Sequence, residues 1–252
     1  MAASINSAPV VRERDLRGQT VLVIGGSSGI GLETARLARA KGAGIILTAR
    51  NPDRLHRAGL ELGASIAAFD ATDFDRLGRF FDALPAPIDH LLITGPGRHY
   101  TPPTEFDLDA ARRHLDAHLL LPLQAARHTA TKVRPGGTLL FIGSTGGRRA
   151  AAGPALSAAL TAALPAMTRT LALEVAPVRV NLIAAGFVDT PWPSSLPGDQ
   201  IDKHREQLRA TLPIGRVVGP ADIAALAVHL MTNTAMTGAT FDIDGGQQLV
   251  DG

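Results

Sequence analysis

The chain has 252 residues, 45% of them hydrophobic, a formal net charge of +2 and no cysteine. That length and apolar content suit one large α/β unit or two small ones and exclude a disordered chain. The near-balanced charge, without a Lys/Arg run, gives no expectation of nucleic acid, and the missing thiols exclude disulfides, thiolate catalysis and zinc–cysteine sites.

Residues 1–17 read as an N-terminal extension without an apolar h-region, so no secretory signal is expected. The first strand is "TVLVI" from Thr20. It runs straight into "IGGSSGIGLETARLARA", where Gly25, Gly29 and Gly31 punctuate a strand-to-helix turn. Glycine fits there because the turn is tight and a pyrophosphate must approach backbone N–H groups at the positive end of the helix dipole. The second strand, "GIILTA" from Gly44, ends at Ala49, where an NAD site needs a carboxylate for the ribose 2′-OH. Arg50 follows instead. Its forked, cationic donors suit a 2′-phosphate, and Ser27 adds a hydroxyl, so NADP is the expected dinucleotide, NADPH preferred over NADH.

Further apolar runs follow: "ASIAAF" from Ala64, "HLLIT" from His90, "TLLFIG" from Thr138, "VRVNLIA" from Val178 and "ATFDID" from Ala239. Helix-period segments lie between them. Strands apolar on both faces, alternating with helices, predict a Rossmann-type doubly wound, mostly parallel seven-stranded sheet with helices on both faces, three layers in one domain over residues 1–252. After the fourth strand, Arg98, His99 and Tyr100 stand where sites in open α/β sheets lie; Tyr100 either donates to a substrate oxygen or packs its loop. On "DAARRHLDAHLLLPLQAARHTA", His114 and His118 share a helix face at i, i+4, a zinc-compatible spacing that no third ligand completes, so no metal is expected. Arg148 and Arg149 follow the fifth strand, to attract an anion or simply be solvated.

The stretch "GPALSAALTAALPAMTRTLALE", Gly153 to Glu174, is the most apolar of all, but it includes prolines and small polar residues. A buried helix suits it better than a membrane span of about 20 apolar residues. Pro165 should kink that helix. "FVDTPWPSSLPGDQ" opens a lid-like loop region at about residues 187–218. A soluble cytoplasmic protein is the default reading.

"IGGSSGIG" resembles the TGxxxGIG signature of the short-chain dehydrogenase/reductase family, with Ile24 in the Thr position. "FDATD" around Asp70 resembles the acidic element that contacts adenine. "LLITGPG" stands for NNAG and "AAGFVDTP" for PGxxxTP; "LPIGRVVGPADIAALAVHL" and "GATFDIDGG" resemble the family's C-terminal elements. The resemblance spans nearly the whole chain and implies cofactor contacts at Gly25, Ser27, Ser28, Gly29, Ile30, Gly31, Arg50, Asp70, Ala71, Gly95, Gly186, Val188 and Thr190. The family's catalytic tetrad is Asn, Ser, Tyr and Lys. Ser144 matches its Ser, but the Tyr position falls at Ser157, the Lys position at Thr161 and the Asn position at His118. The chain has one tyrosine, Tyr100, and three lysines, Lys41, Lys132 and Lys203, none on this helix. His118 is either a proton-transferring stand-in or a filler of the Asn slot. The resemblance further implies a dimer or tetramer through the helix from Ala155 and the helix containing His118. Two functions fit: an atypical NADP(H)-dependent oxidoreductase acting on quinones or activated carbonyls, or a non-catalytic NADP(H)-binding sensor or scaffold.

Overall fold

The computed structural model describes residues 15–85, 87–95, 103–149, 154–190 and 198–250. Seven strands make one sheet: β1 (Thr20–Ile24), β2 (Gly44–Ala49), β3 (Ser65–Ala68), β4 (Ile88–Ile93), β5 (Val133–Ser144), β6 (Arg179–Ala185) and β7 (Thr240–Ile243). The order is β3-β2-β1-β4-β5-β6-β7, and every pairing is parallel. Strand order reverses between β1 and β4, which places a topological switch point, and with it a crevice, at the carboxyl ends of those two strands.

The helices are α1 (Gly29–Ala40), α2 (Pro52–Leu62), α3 (Phe74–Asp82), α4 (Leu108–Leu115), α5 (Leu121–Lys132), α6 (Ala155–Glu174), α7 (Gly198–Thr211) and α8 (Pro220–Thr232). Adjacent strand residues face opposite layers, as the period of two demands. Val21 and Val23 of β1 join Ala35 and Ala38 of α1, Leu55 of α2 and Ala227 of α8 in one core. Leu22 and Ile24 join Leu77 and Phe81 of α3, Ala125 of α5 and Leu164 and Leu171 of α6 in the other. Each fully buried Val, Leu, Ile or Phe among them contributes about 1.5–3 kcal/mol. Local signals agree with the packing: Asn51 caps α2 by accepting from the Arg54 N–H at 2.8 Å, Pro52 occupies its first turn, and Gly63 ends it at φ 57°.

Two buried polar groups of the sheet, His90 and Arg179, are paired. His90 sits between Thr138 Oγ1 at 2.9 Å and Gln19 Oε1 at 2.6 Å. Burial, and the nearby Arg179 charge, push its imidazole down to about 3, so it is neutral. Arg179 is also buried, and it donates to the carbonyls of Leu230, Met231 and Asn233 at the end of α8, groups a helix C-terminus otherwise leaves orphaned.

Two expectations need correction. Leu16, placed in the N-terminal extension, is fully buried, and its N–H donates to Lys41 O at 2.9 Å; an apolar side chain that fills the core belongs to the fold. The region 187–218 is not simply a loop. It contains the 14-residue α7, whose Gln, Lys, Arg, Glu and Leu content favours helix, while residues 191–197 lie outside the described residues. Pro165 lies inside α6, which runs unbroken from Ala155 to Glu174. Ser157, Leu160, Leu164, Thr168 and Leu171 form its buried stripe at helical spacing. Among the described residues α6 is the one helix long and apolar enough to cross a membrane; here that stripe packs on the sheet.

Candidate functional site

The glycine turn lies at the switch point. Gly25 has φ 89°, and a Cβ there would sit 2.0 Å from Thr94 Oγ1, at the end of the neighbouring β4. The Thr94 hydroxyl donates to Ile24 O at 3.1 Å, so β4 closes directly onto the turn. Gly29 takes φ 54° as the first residue of α1, with the Thr190 side chain 3.3 Å from its hypothetical Cβ. Gly31 faces the Gly25 carbonyl, whose oxygen would lie 2.3 Å from a Cβ. The three glycines thus serve a left-handed turn against β4, a left-handed helix start against Thr190 and close helix–strand packing. Ser28 precedes α1 without a side-chain cap and no acidic residue occupies the first turn, which leaves the α1 N–H groups and dipole for an anion. Ser27, Ser28 and Ile30 are half-buried around this turn.

Beside it, Arg50 is exposed one residue past β2. A cleft of about 250 Å³ opens alongside, lined by Ser27, Leu32, Arg54, Arg57, Ala58 and Glu61. The carboxylate of Glu61 accepts from Arg36 at 2.6 and 3.0 Å, which holds it below the usual carboxylate range. The cleft therefore keeps a cationic character from Arg54 and Arg57, both fit to meet a phosphate. These two arginines were not singled out in the sequence. Their i, i+3 spacing just inside α2 was the available signal.

The remaining positions that the resemblance implies for the cofactor follow β3, β4 and β6. Asp70 is exposed after β3 and its Oδ1 accepts from the Thr72 N–H and hydroxyl at 3.0 and 2.8 Å, with Ala71 between them. Gly95 ends the described part of the β4 loop, and the His118 ring would lie 3.0 Å from a Cβ there. Gly186 fits against Asp244 and Gln247, and Gln247 Oε1 accepts from Phe187 N at 2.8 Å. Val188 bridges Val218, which turns Thr190 toward Gly29. Asp189 pairs with Arg205 of α7 at 2.6 Å.

The positions of the tetrad divide. Ser144 is the last residue of β5, half-buried, and its Oγ accepts from the Gly146 N–H at 3.1 Å. Thr161 comes to the same place: both line a cavity of about 230 Å³ with Arg148, Pro165 and Leu182. Thr161 donates its hydroxyl to Ser157 O at 2.5 Å within its own helix, and a neutral hydroxyl supplies no cation in the Lys position. Ser157 is buried and turned toward α4, with its Oγ 3.3 Å from His114 Nε2. The His114 and His118 ring centroids are 4.3 Å apart. His118 lies in a π-helical turn, Asp116–Leu120, between α4 and α5, a feature common at functional sites. Neither that turn nor the Ser157–His114 contact had a signal in the sequence. Arg148 pairs with Asp242 and Arg149 donates to Val250 O, so both are engaged within the chain. Arg98, His99 and Tyr100 lie outside the described residues. Among the described residues no three His, Asp or Glu side chains gather as a metal site.

A family model described as enoyl-(acyl carrier protein) reductase matches residues 24–248. The short-chain dehydrogenase/reductase ATR9 of Stachybotrys chlorohalonatus is 30% identical, over 92% of this chain and 97% of that protein. The chain belongs to the short-chain dehydrogenase/reductase family. That family is one of oxidoreductases, and its members superpose closely on this fold. The crystal structure of BdcA in complex with NADPH aligns with a TM-score of 0.82 at 29% identity, covering 91% of this chain and 94% of that one. The cyclic-di-GMP-binding biofilm dispersal mediator protein of Escherichia coli is 30% identical over 90% of this chain and 96% of its own length. Membership explains why the crevice, the glycine turn and the Thr190 loop converge at one end of the sheet.

Proposed function

We propose that this short-chain dehydrogenase/reductase is an atypical NADP(H)-dependent oxidoreductase, slow on ordinary ketones and suited to quinones or other activated carbonyls. The observation that carries the reading is the pairing of a cationic dinucleotide site with a missing acid: Arg54 and Arg57 in one cleft with Ser27, Arg50 exposed just past β2, and Ser157 and Thr161 at the Tyr and Lys positions. The NADPH complex of the structural relative supports the cofactor. The residues fit it, since the α1 N-terminus at the glycine turn has neither a side-chain cap nor a first-turn acid and so suits an anion. When bound, NADPH supplies the hydride; the chain supplies orientation and whatever proton is needed. Loss of a positioned general acid costs about 10²–10⁴ in rate. A ketone suffers that loss in full, because its reduced oxygen is a strongly basic alkoxide. A quinone suffers less, because phenolic oxygens have a pKa of about 10.

The second reading, a non-catalytic NADP(H)-binding sensor or scaffold, is favoured by the Escherichia coli relative, which is named for what it binds and not for a reaction. The experiment is NADPH oxidation across a panel of ketones and quinones. Quinone reduction that exceeds ketone reduction supports the oxidoreductase. Tight NADPH binding without oxidation by either class leaves the binding module.

A further inference from the structure

The glycine turn, the His118 ring and Ser157 are joined by one line of contacts. Gly25 meets Thr94, the next residue is Gly95, and Gly95 carries the His118 ring against it. His118 packs on the His114 ring at 4.3 Å, and His114 Nε2 is 3.3 Å from Ser157 Oγ. Among the described residues His118 is thus a titratable side chain that reaches the crevice; it is half-buried with Nε2 closed to solvent, so any proton exchange with solvent must use Nδ1. His114 and Ser157 are buried behind it. Two imidazolium rings this close repel strongly, so the pair holds at most one proton charge; which ring takes it depends on what His114 Nε2 does.

We propose that Ser157, standing where the family has its Tyr, acts as a positioning residue: its hydroxyl donates to His114 Nε2, keeps His114 neutral with its proton on Nδ1, and leaves His118 as the general acid. The inference rests on the oxidoreductase reading. In the reductive step the carbonyl carbon takes a hydride from NADPH, and the C=O π pair moves to oxygen. That oxygen takes the proton of the His118 imidazolium. His118 is left neutral and regains a proton from solvent. The sum is carbonyl, NADPH and one proton to alcohol and NADP⁺. In this arrangement a serine at position 157 has a function that needs no acidity of its own.

The test uses the full chain with an aryl ketone and an ortho-quinone as acceptors, and imidazole ¹⁵N NMR of the unliganded protein. His118→Asn should lower kcat for the ketone at least about tenfold, as expected for a lost general acid, with ketone KM, NADPH affinity and the quinone rate changed less than about threefold. Ser157→Ala should lower ketone kcat in the unmodified background and have no further effect in His118→Asn. Ser157→Thr, which keeps the hydroxyl, should restore it. In the spectra, His114 should carry its proton on Nδ1, and Ser157→Ala should move it toward Nε2. His114 protonated at Nε2 in the unmodified protein would overturn the proposal, as would equal losses from Ser157→Ala in both backgrounds, or ketone turnover indifferent to His118→Asn. Absence of turnover with either acceptor in the unmodified protein would refute the oxidoreductase reading, and the role of His118 with it. Turnover that survives the substitutions would refute only the role assigned to His118 and Ser157.

Discussion

Gly31→Ala isolates the packing on which the dinucleotide site depends. A Cβ at position 31 would stand 2.3 Å from Gly25 O, 3.0 Å from its carbonyl carbon and 3.3 Å from Gly26 Cα. Ordinary carbon contacts are about 3.5–4.0 Å, so α1 or the turn must shift by roughly 1 Å. The turn has little room to yield: Gly25 and Gly26 both donate to Thr48 O, at 2.9 and 3.1 Å, and Thr94 closes the other side. Alanine in a helix is otherwise favoured over glycine by about 0.5–1 kcal/mol, and overpacking costs about 1–3 kcal/mol. The net expectation is a destabilisation on the order of 1 kcal/mol with a loss of NADPH affinity of about tenfold or more, because the displaced backbone is the one that meets the pyrophosphate. Gly78→Ala on α3 is the internal comparison. A Cβ there meets nothing within 4 Å, so the same change should stabilise by about 0.5–1 kcal/mol and leave NADPH binding unaltered. Urea denaturation and NADPH titration read both effects. A Gly31→Ala protein as stable and as tightly binding as the original would refute the assignment of this glycine.

Arg50→Ala should erase most of the preference for NADPH over NADH, since a charge-assisted contact is worth about 1.5–3 kcal/mol; paired titrations of both cofactors read it. Stability should fall in acid through His90: its folded value of about 3 lies below the ordinary 6.5, so its contribution is complete above 6.5 and is lost as pH falls toward 3. The slope attributable to it is roughly 1.4 kcal/mol per pH unit in that window, and urea midpoints across it should flatten in His90→Gln. Ser157→Tyr combined with Thr161→Lys should raise ketone reduction by at least about tenfold if the family's acid can be rebuilt on α6, read as kcat for a simple ketone. The exposed Leu120, Leu123 and Leu173 should be covered in a dimer or tetramer, so sedimentation at micromolar concentration should show no predominant monomer.

The sheet was legible because its strands carry an unambiguous signal. Runs such as "GIILTA" and "VRVNLIA" are apolar on both faces, and strands covered by helices on both sides leave that pattern and little else. The glycine turn was legible for a related reason: backbone at φ 89° or 54° admits few residues, so the conformation shows in the residue choice. Leu16 was misplaced because a single apolar residue in a polar stretch has no period to reveal its burial. α7 was hidden behind the Pro- and Ser-rich segment before it. The Ser157–His114 contact joins residues 43 apart in sequence through the crossing of α6 and α4, and no local pattern encodes such a crossing. For Arg54 and Arg57 the helix was foreseeable but the cleft was not, because its other wall is the glycine turn itself.

The central claim is that the crevice beside Gly25, Ser27 and Arg50 holds a 2′-phosphorylated dinucleotide. Calorimetric titration of the unmodified protein with NADPH and with NADH tests it most directly. A charge-assisted contact of about 1.5–3 kcal/mol predicts NADPH binding about 10- to 150-fold more tightly. Equal affinities, or tighter binding of NADH, would contradict it.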